Sequence, residues 1–568
     1  FRTEDRGDTW TAISGDLSRN LDQNQLPVMG RLWGMDAVSK NLSTSNYGNI
    51  VSLTESPLVE GLLYVGTDDG LIQVTEDGGE NWRRMGTFPG IPDRAYVSDL
   101  EASLHDADTV YATFVNYKMG DFAPYILVSR DRGRTWNSAV GDLPERQIVH
   151  TLIQDHVVPE LLFAGTEFGV FVTFDGGGAW HRLKGLPTIQ ARDIDIQRRV
   201  NDLVIGTFGR GFWILDDYSV LRELSEEALA DNEVLLFPTR EALRYTEKRH
   251  RQGTRGDGFW TADNPPYGAV FTYWLRDGLK TAQEVRTEAE KEARKNESDP
   301  PLPTMAELRD EDLEIEPEVL LVIRDELGEI VRRVPTERTA GLHRVAWDLR
   351  WPAADPVSMG GGPLSPWWQA PRGPLALPGR YEATLESRID GEFTALAGPV
   401  GFDVIPLDLA TFTAEDKEAV MAFQAEVREL RRRVMGASRA SGELRDRIDH
   451  LRVALRDTPA APGALSTELE AIRADLDAVD LELSGDDTKS ARNVFQPPSI
   501  GSRVGPIASD LWSHTQPPTT THRQALTWAA EAFETQLTDL KQLDTRLRDL
   551  ESRAEATGAP WTPGRLPQ

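Results

Sequence analysis

The sequence predicts a multidomain, mainly β protein: a partial β-propeller, then a β-sandwich, then an antiparallel helical bundle. Three observations carry that prediction. An octet of pattern Ser/Thr-x-Asp-x-Gly-x-x-Trp occurs four times in the first 180 residues: TEDRGDTW (3–10), TEDGGENW (75–82), SRDRGRTW (129–136) and TFDGGGAW (173–180). Short apolar strands flank the octets, separated by glycine-bearing turns. The last third of the chain carries apolar residues at helical spacings of three and four.

Internal repeats decide architecture, so the octets come first. LLYVGTDDGLIQV leads into the second octet and LLFAGTEFGVFV into the fourth, while DLVIGTFGRGFWILDD (202–217) is a further unit whose octet is lost. Upstream of each lies one more strand: NIVSLTES (49–56), YVSDLEAS (96–103), IVHTLIQD (148–155) and RDIDIQ (192–197). Four short antiparallel strands, repeated, make the blades of a propeller. The octet bridges the third and fourth strands. Asp5, Asp77, Asp131 and Asp175 accept bonds from turn amides. Gly79, Gly133 and Gly177 supply a backbone conformation costly to other residues. Trp10, Trp82, Trp136 and Trp180 are pegs under the turn. An enzyme has little use for one active site per blade, so the octets are scaffold. The segment 1–14 is then a half-blade. Its TWTAIS (9–14) either supplies the missing fourth strand of unit 192–217 and closes a small ring, or further blades precede it.

Composition narrows the function. Acidic residues number 91 against 62 basic, a net charge of −29 that repels phosphate backbones and argues against nucleic acid as a partner. No apolar run approaches the roughly 18 residues of a membrane span. The chain has no cysteine, which excludes disulfides, thiolate metal sites and cysteine nucleophiles. Its nine histidines have no metal-ligand spacing, and there is no P-loop, dinucleotide fingerprint or Gly-x-Ser-x-Gly elbow. No cofactor is expected beyond a structural Ca²⁺, for which Asp68, Asp69 and Asp121 are the available loop carboxylates.

Alternate turns of a propeller face opposite rims, so function is expected on the rim away from the octets. That rim holds Asp68, Asp69, the loop 116–121 with Asp121, Glu167, Phe168, Phe208 and Arg210; the long connection 15–48 adds Arg31, Trp33 and Asp36. A glycosidase needs two carboxylates across a sugar and an aromatic platform. Asp69 and Glu167 are the catalytic candidates; Trp33, Asp36, Asp68, Asp121, Phe168 and Arg210 are the ligand-binding ones. No arginine triad with a tyrosine nucleophile is identifiable, so a sialidase is not expected.

Residues 219–233 read as a linker helix. Apolar strands resume at 234–237, 268–275, 318–334, 342–351 and 380–405, with DELG as a hairpin turn and Trp347 facing inward beside Val345. The region 234–406 resembles the immunoglobulin-like module of secretion-sorting tails. It carries a charged, solvated insertion at 278–316 and an adjacent Trp367–Trp368 pair in a Gly/Pro-rich loop. From 413 to 557 the heptad-like runs predict an antiparallel bundle opened by a Thr413–Asp416 capping pair, a device for spacing or self-association.

The octets resemble Asp boxes, the bacterial neuraminidase (BNR) repeats of sialidases, xyloglucanases and sortilins. Together with FRTEDRGDTWTAISGDLSRN, HDADTVYATF, GTEFGVFVTFDGG, TFGRGFWILDD, GLHRVAWDLRWP, LPGRYEATL and QPPSIGSRV, they are similar to bacterial sortilin-like, BNR-repeat "glycosyl hydrolase" propellers over essentially the whole chain. That resemblance implies a secreted, periplasmic or cell-surface protein with further N-terminal blades. It implies binding, with or without hydrolysis, of glycans; the alternative is a non-catalytic peptide-binding or structural surface protein. The last blade of such proteins reads Thr-His-Gly-Arg, and Phe208 stands here in place of the His, so no role of that His carries over.

Overall fold

The computed structural model describes the chain except residues 41, 43–45, 225, 246–261, 263, 360–369, 408–414, 514–515, 565 and 567–568. The chain forms two compact units, residues 1–231 and 232–568.

The first unit is a row of blades. Blade 1 contains β1 (Ile50–Glu55), β2 (Leu63–Thr67), β3 (Ile72–Thr75) and β4 (Arg83–Met85). Blade 2 contains β5 (Tyr96–Ala102), β6 (Val110–Val115), β7 (Ile126–Ser129) and β8 (Asn137–Ser138). Blade 3 contains β9 (Val149–Gln154), β10 (Leu162–Thr166), β11 (Gly169–Thr173) and β12 (His181–Arg182). Blade 4 has β13 (Ala191–Gln197), β14 (Asp202–Thr207) and β15 (Phe212–Leu215). Within each sheet the strands run antiparallel in sequence order. The first strands adjoin, β1 beside β5, β5 beside β9 and β9 beside β13, which is the arrangement of a β-propeller.

A blade this thin has no core of its own. Its apolar side chains divide between its two faces and are buried against the neighbouring blades. One core joins blades 1 and 2 (Tyr64, Ile72, Val97, Phe114), another blades 2 and 3 (Tyr111, Ile126, Leu162, Phe171), a third blades 3 and 4 (Phe163, Val172, Ile194, Leu203).

The octets fold by one bonding scheme. Asp77 Oδ1 accepts from Thr75 Oγ1 at 2.8 Å and from the Asn81 amide at 2.9 Å, and Thr75 Oγ1 accepts from the Gly79 amide at 2.9 Å. Asp5, Asp131 and Asp175 repeat this with Thr3, Ser129 and Thr173. Gly79 and Gly177 sit at φ of 106° and 108°, where a side chain is strained. The pegs differ. Trp180 is buried and Trp82 half-buried, and each donates its indole N–H to the preceding unit, to the Ala139 carbonyl (3.2 Å) and the Ile13 carbonyl (3.1 Å). Trp136 is buried edge-on to Phe88. Trp10 is 60% exposed and donates its indole N–H to the Gly7 carbonyl of its own octet. The fourth strands begin one residue after each Trp, because the indole turns under the octet.

Ile13 stands to Trp82 and Gly79 as Ala139 stands to Trp180 and Gly177. The bridge Arg2↔Thr11 has the same spacing as Val74↔Arg83, Val128↔Asn137 and Val172↔His181. Residues 2–14 therefore take the place of an octet and fourth strand in front of blade 1. This corrects the ring-closing expectation: 9–14 packs on blade 1, and among the described residues β15 pairs with no fourth strand. The single linker helix is also corrected, to a 3₁₀ turn at Ser219–Arg222 and a short α1 (Glu226–Asp231). The turn is pinned to blade 3, where buried Asp155 accepts from Tyr218 Oη (2.5 Å) and from Arg222 (2.8 Å).

The second unit has a three-stranded and a five-stranded sheet. The first runs β16 (Val234–Leu236), β18 (Ala269–Leu275), β21 (Gly341–Trp347); the second runs β17 (Ala242–Arg244), β23 (Glu392–Pro406), β22 (Gly379–Ile389), β19 (Glu318–Asp325), β20 (Ile330–Thr336). They share a core of Phe271, Tyr273, Leu321, Trp347, Tyr381 and Phe402. The charged insertion is two capped helices without buried residues, α2 (Ala282–Lys295) and α3 (Met305–Leu313). The helical region has α4 (Lys417–Arg456), α5 (Gly463–Ser484), α6 (Asp487–Ser490), α7 (Ile500–Leu511) and α8 (Thr520–Ala556) around Val427, Leu451, Leu476, Phe533 and Leu547. Sheets and helices belong to one unit: Arg431 pairs with Asp355 at 2.6 Å and Arg350 donates to the Trp512 carbonyl at 2.9 Å. Asp416 caps α4 through the Ala419 amide, while Thr413, Trp367 and Trp368 lie outside the described residues.

Candidate functional site

The rim opposite the octets is built from turns that follow each second strand. In three blades the residue after the strand's final Thr donates its amide to the carbonyl just before or at the start of the first strand: Asp68 to Asn49 (3.0 Å), Glu167 to Ile148 (2.9 Å) and Phe208 to Gln190 (3.0 Å). These three are one position of the repeat, carrying three different side chains.

The structure engages three of the expected site carboxylates within turns and neighbouring loops. Asp69 is fully buried; its oxygens accept from Thr67 Oγ1 (2.5 Å) and the Arg19 amide (2.7 Å). The expectation that Asp69 is catalytic is corrected: no substrate reaches it. The Asp-Asp-Gly turn looked solvent-facing because the inward-running Arg19 segment is 50 residues away in sequence. Asp68 accepts from the Gly48 and Asn49 amides (2.8 Å each) and Asn49 Nδ2 (2.9 Å). Asp121 accepts from Asn116 Nδ2 (3.0 Å), the Ala123 amide (3.1 Å) and Tyr125 Oη (2.7 Å). With their oxygens engaged by N–H and O–H donors, the three do not converge as Ca²⁺ ligands. Among the described residues no group of three or more His, Asp and Glu is placed to hold a metal. Trp33 stacks on Arg31 of its own loop (3.6 Å) and donates to the Val28 carbonyl; Asp36 is exposed in that loop, and neither joins the other rim residues.

Glu167 has a different setting. Its Oε2 lies 3.1 Å from Nε2 of buried His150 and 2.7 Å from Gln190 Nε2, and Arg192 donates to His150 Nδ1 at 3.1 Å. An Nδ1 that accepts leaves the proton on Nε2, where it bonds Glu167. Burial first, then the Arg192 charge, push the imidazole below its ordinary pKa against the pull of Glu167, so it is neutral at pH 7. Phe168 (47% exposed) follows Glu167, and Phe208 (71% exposed) is tied to Gln190, with exposed Arg210 two residues on. The cluster thus gathers a carboxylate, an amide and a guanidinium on turns that also carry two exposed aromatic residues, Phe168 and Phe208. His150, Gln190 and Arg192 escaped the sequence reading. Their signal was their place at the start of β9 and β13, directly behind the rim turns.

A second acidic group lies on the first strands. Asp99 and Glu101 on β5 and Asp193 and Asp195 on β13 alternate along their strands, so each pair shares a face. Asp99 Oδ2 reaches the next blade, accepting from Thr151 Oγ1 (2.8 Å) and the Leu152 amide (3.0 Å). Burial, reinforced by Asp99, raises the Glu101 carboxyl to about 8.

No protein-family model matches the chain, and no curated protein does. Among solved structures it is similar to the GH74 xyloglucanase of Xanthomonas campestris (13% identity, 31% of this chain and 30% of that one, TM-score 0.24). It is also similar to YCF48 bound to D1 peptide (14% identity, 30% and 51%, TM-score 0.24) and to the β-propeller domain of Cps50 (Swd1) from Myceliophteria thermophila (14%, 32% and 56%, TM-score 0.24). The chain thus spans about a third to just over half of those chains' own length. At such scores the likeness says nothing of ligand or activity.

Proposed function

We propose that this protein is an extracytoplasmic ligand-binding propeller that takes a glycan on the blade 3–4 rim. The observation that carries the reading is the Glu167–His150–Gln190–Arg192 cluster flanked by exposed Phe168 and Phe208. A sugar offers what that cluster lacks: hydroxyls for the amide, carboxylate and guanidinium, and an apolar ring face for an aromatic. Glu167 in this reading is an acceptor for ligand hydroxyls. Hydrolysis by an Asp69–Glu167 pair finds no support, since Asp69 is sealed. On this view the octets are Asp boxes, the two facing sheets an immunoglobulin-like presenting module, and the helices a bundle for self-association.

Glycan-array screening followed by calorimetric titration tests the proposal. A retained glycan should lose at least ~10-fold in affinity with Phe208→Ala and with Gln190→Ala, a loss equivalent to about 1.4 kcal/mol. Binding of extended peptides but of no glycan would replace glycan with peptide as the ligand. Affinity unmoved by both substitutions would remove the cluster from the site.

A further inference from the structure

Resting on the glycan reading of the same rim, we infer that Arg192 and Lys118 select a glycan that carries an acidic group, a carboxylate or a sulfate, on an otherwise neutral chain. The first strand of every blade has one extra residue at the same place. Its register against the second strand slips between Ile50 and Ser52 in β1, Val97 and Asp99 in β5, Val149 and Thr151 in β9, and Ala191 and Asp193 in β13. Such a bulge re-aims the side chain it inserts. The bulged residues Val51, Ser98, His150 and Arg192 thus hold one position across adjoining first strands, close behind the rim turns. Two of them reach across to a neighbouring first strand: Ser98 Oγ donates to the Val149 carbonyl (3.4 Å) and Arg192 to His150 Nδ1 (3.1 Å).

This position changes from apolar to cationic along the row. Arg192 is turned back onto blade 3, and its setting is made inside the described blades. Its acceptor is a ring nitrogen of the neutral imidazole, so the guanidinium is held in place without being neutralised. Lys118 comes from the loop 116–121, with Nζ 6.0 Å from the centre of the Tyr96 ring. The same Tyr96 lies within reach of the Arg192 charge, which offsets part of the rise that burial and Asp68 impose on its phenol. Two exposed cations therefore converge on one aromatic residue at the mouth of the rim. Among the described residues neither has a carboxylate within ion-pair distance.

The octet rim treats its arginines differently. Arg83, Arg132 and Arg134 all pair with Glu76, at 3.3, 3.1 and 2.6 Å, and Arg132 pairs with Asp108 as well. On the opposite rim the carboxylates at hand are bonded elsewhere: Asp68 to the Gly48 and Asn49 amides, Asp121 to Asn116 and Tyr125, Glu167 to His150 and Gln190. The strongest donors left for a ligand are cationic. An anionic oxygen is the acceptor they hold best, since a hydrogen bond between two charged groups is about twice as strong as a neutral one. The whole molecule sets a limit on that charge. With 91 acidic residues against 62 basic ones it repels a polyanion, so the ligand charge is sparse and is met locally by this pair.

The probes are oligosaccharides bearing one uronic acid or one sulfate ester, each titrated into the 568-residue chain beside its carboxyl-reduced or desulfated twin. The acidic member of a pair should bind at least ~10-fold more tightly than its twin. Arg192→Gln and Lys118→Gln should each shrink that preference, and together bring the acidic member down to the level of its twin. Both side chains are exposed, so melting curves of the variants should overlay the wild type and exclude misfolding as the cause. A preference confined to uronates or to sulfates supports the inference and identifies the acidic group. Equal affinity for both members of every pair, with Phe208→Ala still weakening them, overturns it and leaves the glycan reading standing. Retention of no glycan, acidic or neutral, overturns both, and so does an acidic peptide bound in their place.

Discussion

Asp77 and Asp69 are eight residues apart, both in turns, and their chemistry diverges. Asp77 stays in water, yet the Asn81 side chain and amide, with Thr75, hold its carboxyl down to about 2. A carboxyl depressed in the fold stabilises above its unfolded pKa, and that stability drains as pH falls through the folded value. Asp77→Ala should therefore lower the melting temperature at pH 7 and narrow the gap to wild type as pH falls from about 4 to 2, while ligand affinity holds. A melting curve as low relative to wild type at pH 2 as at pH 7 would contradict this. Asp69→Ala should behave otherwise, since it strands the buried Thr67 hydroxyl and the Arg19 amide. The expected cost is about 1–3 kcal/mol in denaturant unfolding, with any ligand affinity retained.

At the scale of the element, two ionisable groups make predictions. Glu101 has a folded pKa of about 8, well above a free glutamate, so stability present below the unfolded pKa is lost as pH climbs toward 8. Glu101→Gln should flatten that decline and stabilise the protein at pH 8, read by denaturant melts at pH 5 and 8; a variant as pH-sensitive as wild type rules it out. Arg222→Ala leaves Asp155 buried without its cation and should cost about 3–5 kcal/mol, freeing the 3₁₀ turn after blade 4 from blade 3. Much of this scale was legible in the sequence, because strand alternation and turn chemistry are local. The octets, the twelve strands of blades 1–3 and the Asp77-type bonds follow from residues within a few positions. The burial of Asp69 and the His150–Glu167–Gln190 cluster do not. They depend on which distant strand arrives behind a turn, set by interblade packing.

For the whole molecule, the sequence suggested a break between the sandwich strands and the helices, on composition alone. The second unit instead ties them together through Arg431–Asp355, the Arg350–Trp512 bond and Arg428 over Trp351. Apolar periodicity locates helices but carries no record of the side chains that dock them on a sheet. Residues 232–568 expressed alone should unfold in a single transition by circular dichroism and by tryptophan fluorescence, and two separated transitions would restore the three-part division. Arg431→Ala should lower that shared midpoint for both probes together.

The blades keep no private core, and that has a kinetic meaning. A stack held only by contacts between neighbours loses its members from the ends, as a zipper does, and each interior member is guarded by those outside it. Weakening the core shared by blades 3 and 4 should therefore speed amide exchange in β10 and β14 before β6. The Glu167 cluster straddles that junction. A ligand bridging that junction would act as a clasp, and its binding would show as slowed exchange across blade 4.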